Sequence, residues 1–506
     1  MGGVPVWVDL LASVAASLSR MIAAYVVSVI LALTVGSLMA KNRTVERILL
    51  PVLDVLQSIP ILGFFPAALV FFVTYLPGGI GAEAASVFLI VTSLVWNMIF
   101  GVYSSVKSLD PQFEDMAKVY GFGHAARFFY IYTPASRNSL VANSLVSWAG
   151  GWFFLTSAEV ISLGSAEYRL RGLGSFILDN FNAGNLIGFY LGVAALLTVI
   201  VATYILVWNP AASIVLGRSL PGVVRSYEAV HFVVASLWSR LTEATIRIEK
   251  RFLESRILLA SAKWLALLAV ACVLVQALLA AWGLLSGSVF AKVVSVLVEL
   301  PLSLARVALV VVFSFATSLL VAYFSYRSRV FSAAMTLGGE LLASIPAIVW
   351  WPLLAGIALG SRLGSYTVSF IVFLQGSFWY LYFNILVYGL GSIRKDFEEL
   401  AEVYHFGARH FFRYIFVPSL LPSVAAGALS AWGGAWNASV VAEYVEVSGR
   451  TIDLGGVGAL LNRLTVSGDT LGLMLSALVL SLVIVAINKT LWSRFFNYIE
   501  GRYVGE

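Results

Sequence analysis

Glu159 and Glu443 are acids where acids are disfavoured. Each closes a Trp-x-Gly-x-Trp-x6-Glu run, begun at Trp148 and at Trp432, and each follows an alanine in an otherwise apolar stretch. A carboxylate costs roughly 2.5–3.5 kcal/mol at the centre of a bilayer, so it faces protein or water rather than lipid. Arg20 and Arg306 are the cations in comparable surroundings. Such groups can line a solute path, gate it, or pair as ions near the outer face. The residues alone leave these roles open. Trp152 and Trp436, within the same runs, join the pathway candidates. So do Pro60 and Pro346, each in a Ser-Ile-Pro step with a further proline at Pro66 or Pro352. Proline removes a backbone hydrogen bond and kinks a spanning helix, with or without a role in the path.

Other chemistries lack their residues. Cys272 is the single cysteine, and His124, His231, His405 and His410 show no metal-ligand spacing with carboxylates. A G-x-x-x-x-G-K-[ST] phosphate loop does not occur, nor does H-E-x-x-H or a Ser/His/Asp pattern. The expectation is a chain without enzymatic activity, cofactor or metal, with any ATP hydrolysis carried out elsewhere.

The elements that must position these residues are apolar. The chain has 506 residues, 60% hydrophobic and 11% charged, against about 25% charge in soluble domains. Apolar runs near the 20 residues needed to cross a bilayer fall at about 17–40, 50–76, 84–106, 136–162, 185–208, 261–285, 300–324, 335–360, 366–390, 420–445 and 469–492. This pattern is that of an all-α integral membrane protein of about eleven spans in the cell membrane. The start carries no basic leader, so the first span is expected to be retained. A net charge of +6 follows from lysines and arginines collecting in cytoplasmic loops, without a nucleic acid partner.

The two halves are copies. Ser17, Arg20, Arg43, Asp54, Ser58, Pro60 and Pro66 recur 286 residues later as Ser303, Arg306, Arg329, Glu340, Ser344, Pro346 and Pro352. With a displacement of 284, Trp148, Gly150, Trp152, Glu159, Gly172, Gly174 and Trp208 recur as Trp432, Gly434, Trp436, Glu443, Gly456, Gly458 and Trp492. Shared hydrophobicity would not keep prolines, tryptophans and charges in register. Five spans per copy would leave the copies inverted; the span at 261–285 restores parity, so both point the same way. The expected division is 1–208 first repeat, 209–259 cytoplasmic amphipathic linker, 260–299 linking span and outer loop, 300–492 second repeat, and 493–506 cytoplasmic tail.

One repeated segment is polar and aromatic. DMAKVYGFGHAARFFYIYTP, Asp115 to Pro134, returns as ELAEVYHFGARHFFRYIFVP, Glu399 to Pro418, with nine of twenty positions identical. It resembles the EAA loop of permease subunits in binding-protein-dependent ABC importers. The resemblance rests on the acid, Ala117 or Ala401 two residues on, Gly121 six residues after Asp115, and the closing proline. It implies a short cytoplasmic helix docking on an ATPase subunit, through Asp115, Ala117, Tyr120, Gly121, Gly123 and Pro134, and through Glu399, Ala401, Tyr404, His405, Gly407 and Pro418. His405 departs from the pattern, standing where the family has glycine, and the second turn is expected two residues later, at Gly407.

With Ser-Leu-Ser-Arg20, Ser-Ile-Pro, Ala-Glu and the glycine pairs Gly172/Gly174 and Gly456/Gly458, the chain looks most like nitrate/sulfonate/taurine-type permeases in a duplicated, single-chain form. The likeness implies a type I importer fold, two ATP-binding subunits at the cytoplasmic face, an extracellular substrate-binding protein and a small anionic substrate such as nitrate or a sulfonate. Fused permeases for ferric iron or thiamine are the alternative within the class. An ion-coupled secondary transporter would leave the paired EAA loops unexplained.

Overall fold

The computed structural model describes residues 6–58, 61–77, 79–163, 166–208, 210–211, 239–240, 242–247, 249, 288–343, 345, 347–390, 393, 395–447, 450–492 and 494–495. The first repeat opens with α1 (Val6–Lys41), a 36-residue apolar helix closed by a lysine. Asn42 then starts the next helix, its side-chain oxygen accepting the amides of Thr44 and Val45 at 3.0 and 3.2 Å. There follow α2 (Arg43–Ser58), α3 (Ile61–Tyr75), α4 (Ile80–Lys107), α5 (Pro111–Val119), α6 (His124–Arg127), α7 (Thr133–Ala158), the hairpin β1 (Val160–Leu163) with β2 (Ala166–Arg169), α8 (Leu173–Asn182) and α9 (Leu186–Thr203).

The second repeat uses the same order, except that two short helices stand where the first has α3. It comprises α10 (Ser288–Arg327), α11 (Arg329–Ala343), α12 (Ala347–Leu353), α13 (Ala355–Gly360), α14 (Arg362–Phe383), α15 (Lys395–Val403), α16 (Ala408–Phe411), α17 (Val417–Glu443), β3 (Tyr444–Val447) with β4 (Arg450–Asp453), α18 (Val457–Val466) and α19 (Thr470–Ile487). Local irregularities recur as well, apart from a π-helical turn at Asn384–Gly389 found in the second repeat. Wider π-helical turns at Phe128–Tyr132 and Tyr204–Trp208 recur at Phe412–Phe416 and Asn488–Trp492.

Six helices among the described residues are long and apolar enough to cross a membrane, seven if the bent pair 408–425 and 427–443 counts as one span. The protein is a multi-pass, essentially all-α membrane protein, with two differences from expectation. The run at 335–360 is not a single helix: α11 stops at Ala343, Ile345 lies in a bend, and α12 begins at Ala347. Ile345 precedes a proline in the sequence, and proline disfavours helical backbone in the residue before it. The runs at 136–162 and 420–445 also end early, in antiparallel hairpins pairing Val160 with Arg169 and Tyr444 with Asp453. Their β-branched residues read as continued apolar span because hydropathy does not separate strand from helix over so short a stretch. The span at 261–285 lies outside the described residues, and so does the linker apart from 210–211, 239–240, 242–247 and Glu249.

The cores interlock. Met21, Leu94, Trp152, Leu155 and Phe189 pack one centre within the first repeat. The larger centre, around Trp351, Phe373, Phe416 and Trp436, also takes in Ile61, Leu69, Ala85, Leu89 and Phe154 of the first repeat. Within the second repeat α14 and α17 approach closely because Gly376 and Gly434 face each other, and a Cβ on either would strike the opposing helix.

Candidate functional site

Two places gather the polar residues: a turn after a short helix at one end of each repeat, and a buried carboxylate at the other.

The first turn begins with α5. Asp110 caps it, accepting the amide of Gln112 at 2.9 Å, and Pro111 occupies the first helical position, where no amide is needed. Ala117 is buried against the bundle, while Tyr120 is 72% exposed. Gly121 then takes a left-handed backbone, φ +66°. Phe122 N–H donates to the Ala117 carbonyl at 2.8 Å and Gly121 N–H to that of Lys118 at 3.0 Å, a helix stop that satisfies two terminal carbonyls. The second turn is the same object. Ala401 is buried, Tyr404 is 68% exposed, and Phe406 N–H donates to the Ala401 carbonyl at 2.8 Å.

The expectation of a turn displaced to Gly407 is overturned. His405 itself adopts the left-handed backbone, φ +50°, and the turn falls at the matching position. Histidine is among the non-glycine residues that tolerate this region. Gly123 and Gly407 instead have extended ψ and start the following helices, α6 and α16. Asp115 is exposed and pairs with Lys118 at 2.9 Å. Pro134 and Pro418 lie in the first turns of α7 and α17.

Sequence reading passed over Glu114, the residue that ties α5 to the bundle. Its carboxylate meets Lys41 Nζ, at the end of α1, at 2.8 Å, accepts the Tyr132 hydroxyl at 2.8 Å, and lies 3.7 Å from Arg127. Burial pushes this carboxyl up, but Lys41, Tyr132 and Arg127 outweigh it and hold it below its ordinary value. The alignment of repeats held the clue, since Glu398 is also an acid.

At the opposite end, Glu159 and Glu443 are both fully buried. The Ser17 hydroxyl donates to Glu159 at 2.6 Å, Arg20 Nη1 at 2.8 Å and the Gly174 amide at 2.7 Å. Ser17 also accepts the Leu173 amide at 2.8 Å. The carboxylate therefore joins α1, the end of α7 and the start of α8. Glu443 has the same partners one repeat later: Ser303 at 2.8 Å, Arg306 Nη1 at 2.8 Å and the Gly458 amide at 2.8 Å. The glycine pairs are explained together. A side chain at Gly172 or Gly456 would run into the carboxylate, and Gly456 additionally has φ +106°.

The two arginines are held differently. Arg20 completes its fork on Glu83, with Nε and Nη2 donating at 2.6 and 2.7 Å. Arg306 instead donates to the carbonyls of Leu454 and Gly455, both at 2.7 Å, and lies 5.8 Å from the centre of the Tyr366 ring. Trp152 and Trp436 are buried in their own repeats, edge-on to Trp148 and Trp432. Pro60 and Pro346 lie outside the described residues. Just beyond Pro60, the Ile61 amide donates across the repeat interface to Asn437 Oδ1 at 2.5 Å. No spacing rule pointed to Asn437; its first-repeat counterpart is Phe153.

No group of three or more metal-ligating side chains occurs among the described residues. The polar groups hold helices and expose turns.

Comparison with known proteins agrees with this arrangement. The family described as binding-protein-dependent transport system inner membrane component matches twice, over residues 10–209 and 314–496. A nitrate import permease protein of Leptolyngbya laminosa is 24% identical over 172 residues, 34% of this chain and 57% of the relative. A bicarbonate transport system permease protein of Synechococcus elongatus is 24% identical over 166 residues, covering 33% and 55%. The taurine transport system permease protein of Escherichia coli is 26% identical over 163 residues, covering 32% and 54%. The chain thus spans a little over half the length of each of these relatives. Two matched regions, each closing its helix on an exposed tyrosine, make the chain a duplicated member of the binding-protein-dependent inner membrane transport family.

Proposed function

We propose that this chain is the permease of an ATP-driven importer, with both pore halves, residues 1–208 and 300–492, in one polypeptide. The observation that carries the reading is the pair of equivalent turns. Each seats an alanine in the bundle and leaves a tyrosine in solvent, a shape suited to a pocket on a partner, where aromatic anchors dominate binding. Two ATP-binding subunits dock on these turns at the cytoplasmic face, and a binding protein delivers cargo at the outer face. Hydrolysis belongs to the ATP-binding subunits. Glu114 carries movement of α5 to the end of α1 and the foot of α7. The buried Glu159 and Glu443 clusters act on the path indirectly, by keeping the far ends of those helices together. Reversing a two-state pore from about 1:99 to 99:1 takes roughly 5.5 kcal/mol of differential binding, a load two docked turns can share.

The cargo is a small anion. Support comes from relatives named for nitrate, bicarbonate and taurine, not from the basic residues, which topology explains. Reconstitution into liposomes with the ATP-binding subunits and the binding protein tests the reading. Uptake of labelled anion should need ATP, and uptake driven by a proton or sodium gradient alone rejects it.

A further inference from the structure

We propose that the segment joining the repeats braces the first cytoplasmic turn through Glu249, so that the two turns offer unequal faces to the ATP-binding subunits. The inference rests on the coupling role assigned to the turns above. Glu249 Oε1 accepts the His124 amide at 2.8 Å, and Oε2 accepts the Ala125 amide at 3.0 Å. These are the first amides of α6, which runs through the π-helical turn at Phe128–Tyr132 directly into α7. The same carboxylate packs under Gly123, where an added Cβ would lie 3.0 Å from Oε2 and 3.3 Å from Cδ. Gly123 thus makes room for it, and Arg127 closes the other side by donating Nε to the Phe122 carbonyl at 3.0 Å.

The second turn is built otherwise. A Cβ on Gly407 would meet nothing within 4 Å, and among the described residues no carboxylate reaches the amides of Ala408 or Arg409. The asymmetry has a simple origin. Duplication made two turns but one connecting segment, and Glu249 on that segment meets the first turn. Hydrogen bonds to an ionised carboxylate are shorter and stronger than neutral ones, so the braced turn resists displacement that the other permits.

Amide hydrogen exchange of the purified full chain, with and without its ATP-binding subunits, tests this. Glu249→Ala should speed exchange at 122–132 by about tenfold or more and leave 406–416 unchanged. Gly123→Ala should do the same by displacing the carboxylate, whereas Gly407→Ala should not loosen either turn. Glu249→Gln keeps one acceptor oxygen and should give an intermediate rate if the alanine variant folds poorly. Loosening of both turns alike, or of neither, overturns the brace. Failure of the coupling reading would look different: Tyr120→Ala with Tyr404→Ala would still co-purify with the ATP-binding subunits, whatever the exchange rates.

Discussion

Gly121 and His405, 284 residues apart, hold the same left-handed backbone, φ +66° and +50°. One does so without a Cβ and the other despite one. The second turn therefore stores local strain that the first does not, although both end their helices with the same hydrogen bond to an alanine carbonyl.

Gly121→Val and His405→Val should each cost about 1–2 kcal/mol, because left-handed backbone is unfavourable for L-residues and a β-branched side chain tolerates it least. His405→Gly should shift stability by less than about 1 kcal/mol, since relief in the turn is offset by the greater freedom of glycine in the unfolded chain. Thermal unfolding of the purified chain in detergent measures all three. A costly His405→Gly would show that the histidine side chain, not the backbone, holds the turn.

The buried ion pairs should fail unequally. Removing either cation, by Arg20→Ala or Arg306→Ala, strands a buried carboxylate and should cost about 3–5 kcal/mol. Removing the acids should separate the repeats. After Glu159→Gln, Arg20 still has Glu83, whereas after Glu443→Gln no carboxylate described here remains on Arg306. Glu443→Gln is therefore the more damaging of the two, and paired melting curves in detergent decide the order.

Glu114 sets a pH dependence. Its carboxyl sits below the ordinary value in the folded chain, so the folded state favours the ionised form. That stabilisation is fully present above the ordinary carboxylate value and is lost as pH falls through the lowered folded one. Melting temperatures of the wild type and Glu114→Gln should differ near neutrality and converge in acid. A gap that persists at the acid end would assign the effect to packing.

Asn437→Leu should leave the Ile61 amide without its acceptor across the repeat interface. An unsatisfied buried donor costs about 1–3 kcal/mol. Phe153→Asn, the mirrored change, orphans no amide, and its cost comes instead from removing a ring packed against the core. Stability of the two variants, read beside ATP-dependent uptake, shows whether this contact holds the pathway as well as the fold.

The sequence by itself determined the duplication and the membrane class, and it marked most residues of the two recurring polar clusters, though not Glu114. Ser17 and Arg20 recur at a displacement of 286 and Glu159, Gly172 and Gly174 at 284, as do the acid, alanine, tyrosine and proline of each turn. Each lies in a segment whose own pattern sets it apart. Tertiary structure alone decided the partners. Glu83 and Tyr366 face the two arginines with different chemistry, Asn437 reaches the other repeat, and Glu249 crosses from the linker to one turn only. Those contacts join residues far apart in the chain, and copies of a motif acquire different neighbours wherever the surrounding positions have diverged. The hairpins after α7 and α17 were hidden for another reason: the first apolar residues of a strand, such as Val160 and Ile161 or Tyr444 and Val445, carry the same hydropathy as the end of an apolar helix, and only the closed pairing of Val160 with Arg169 and of Tyr444 with Asp453 separates them.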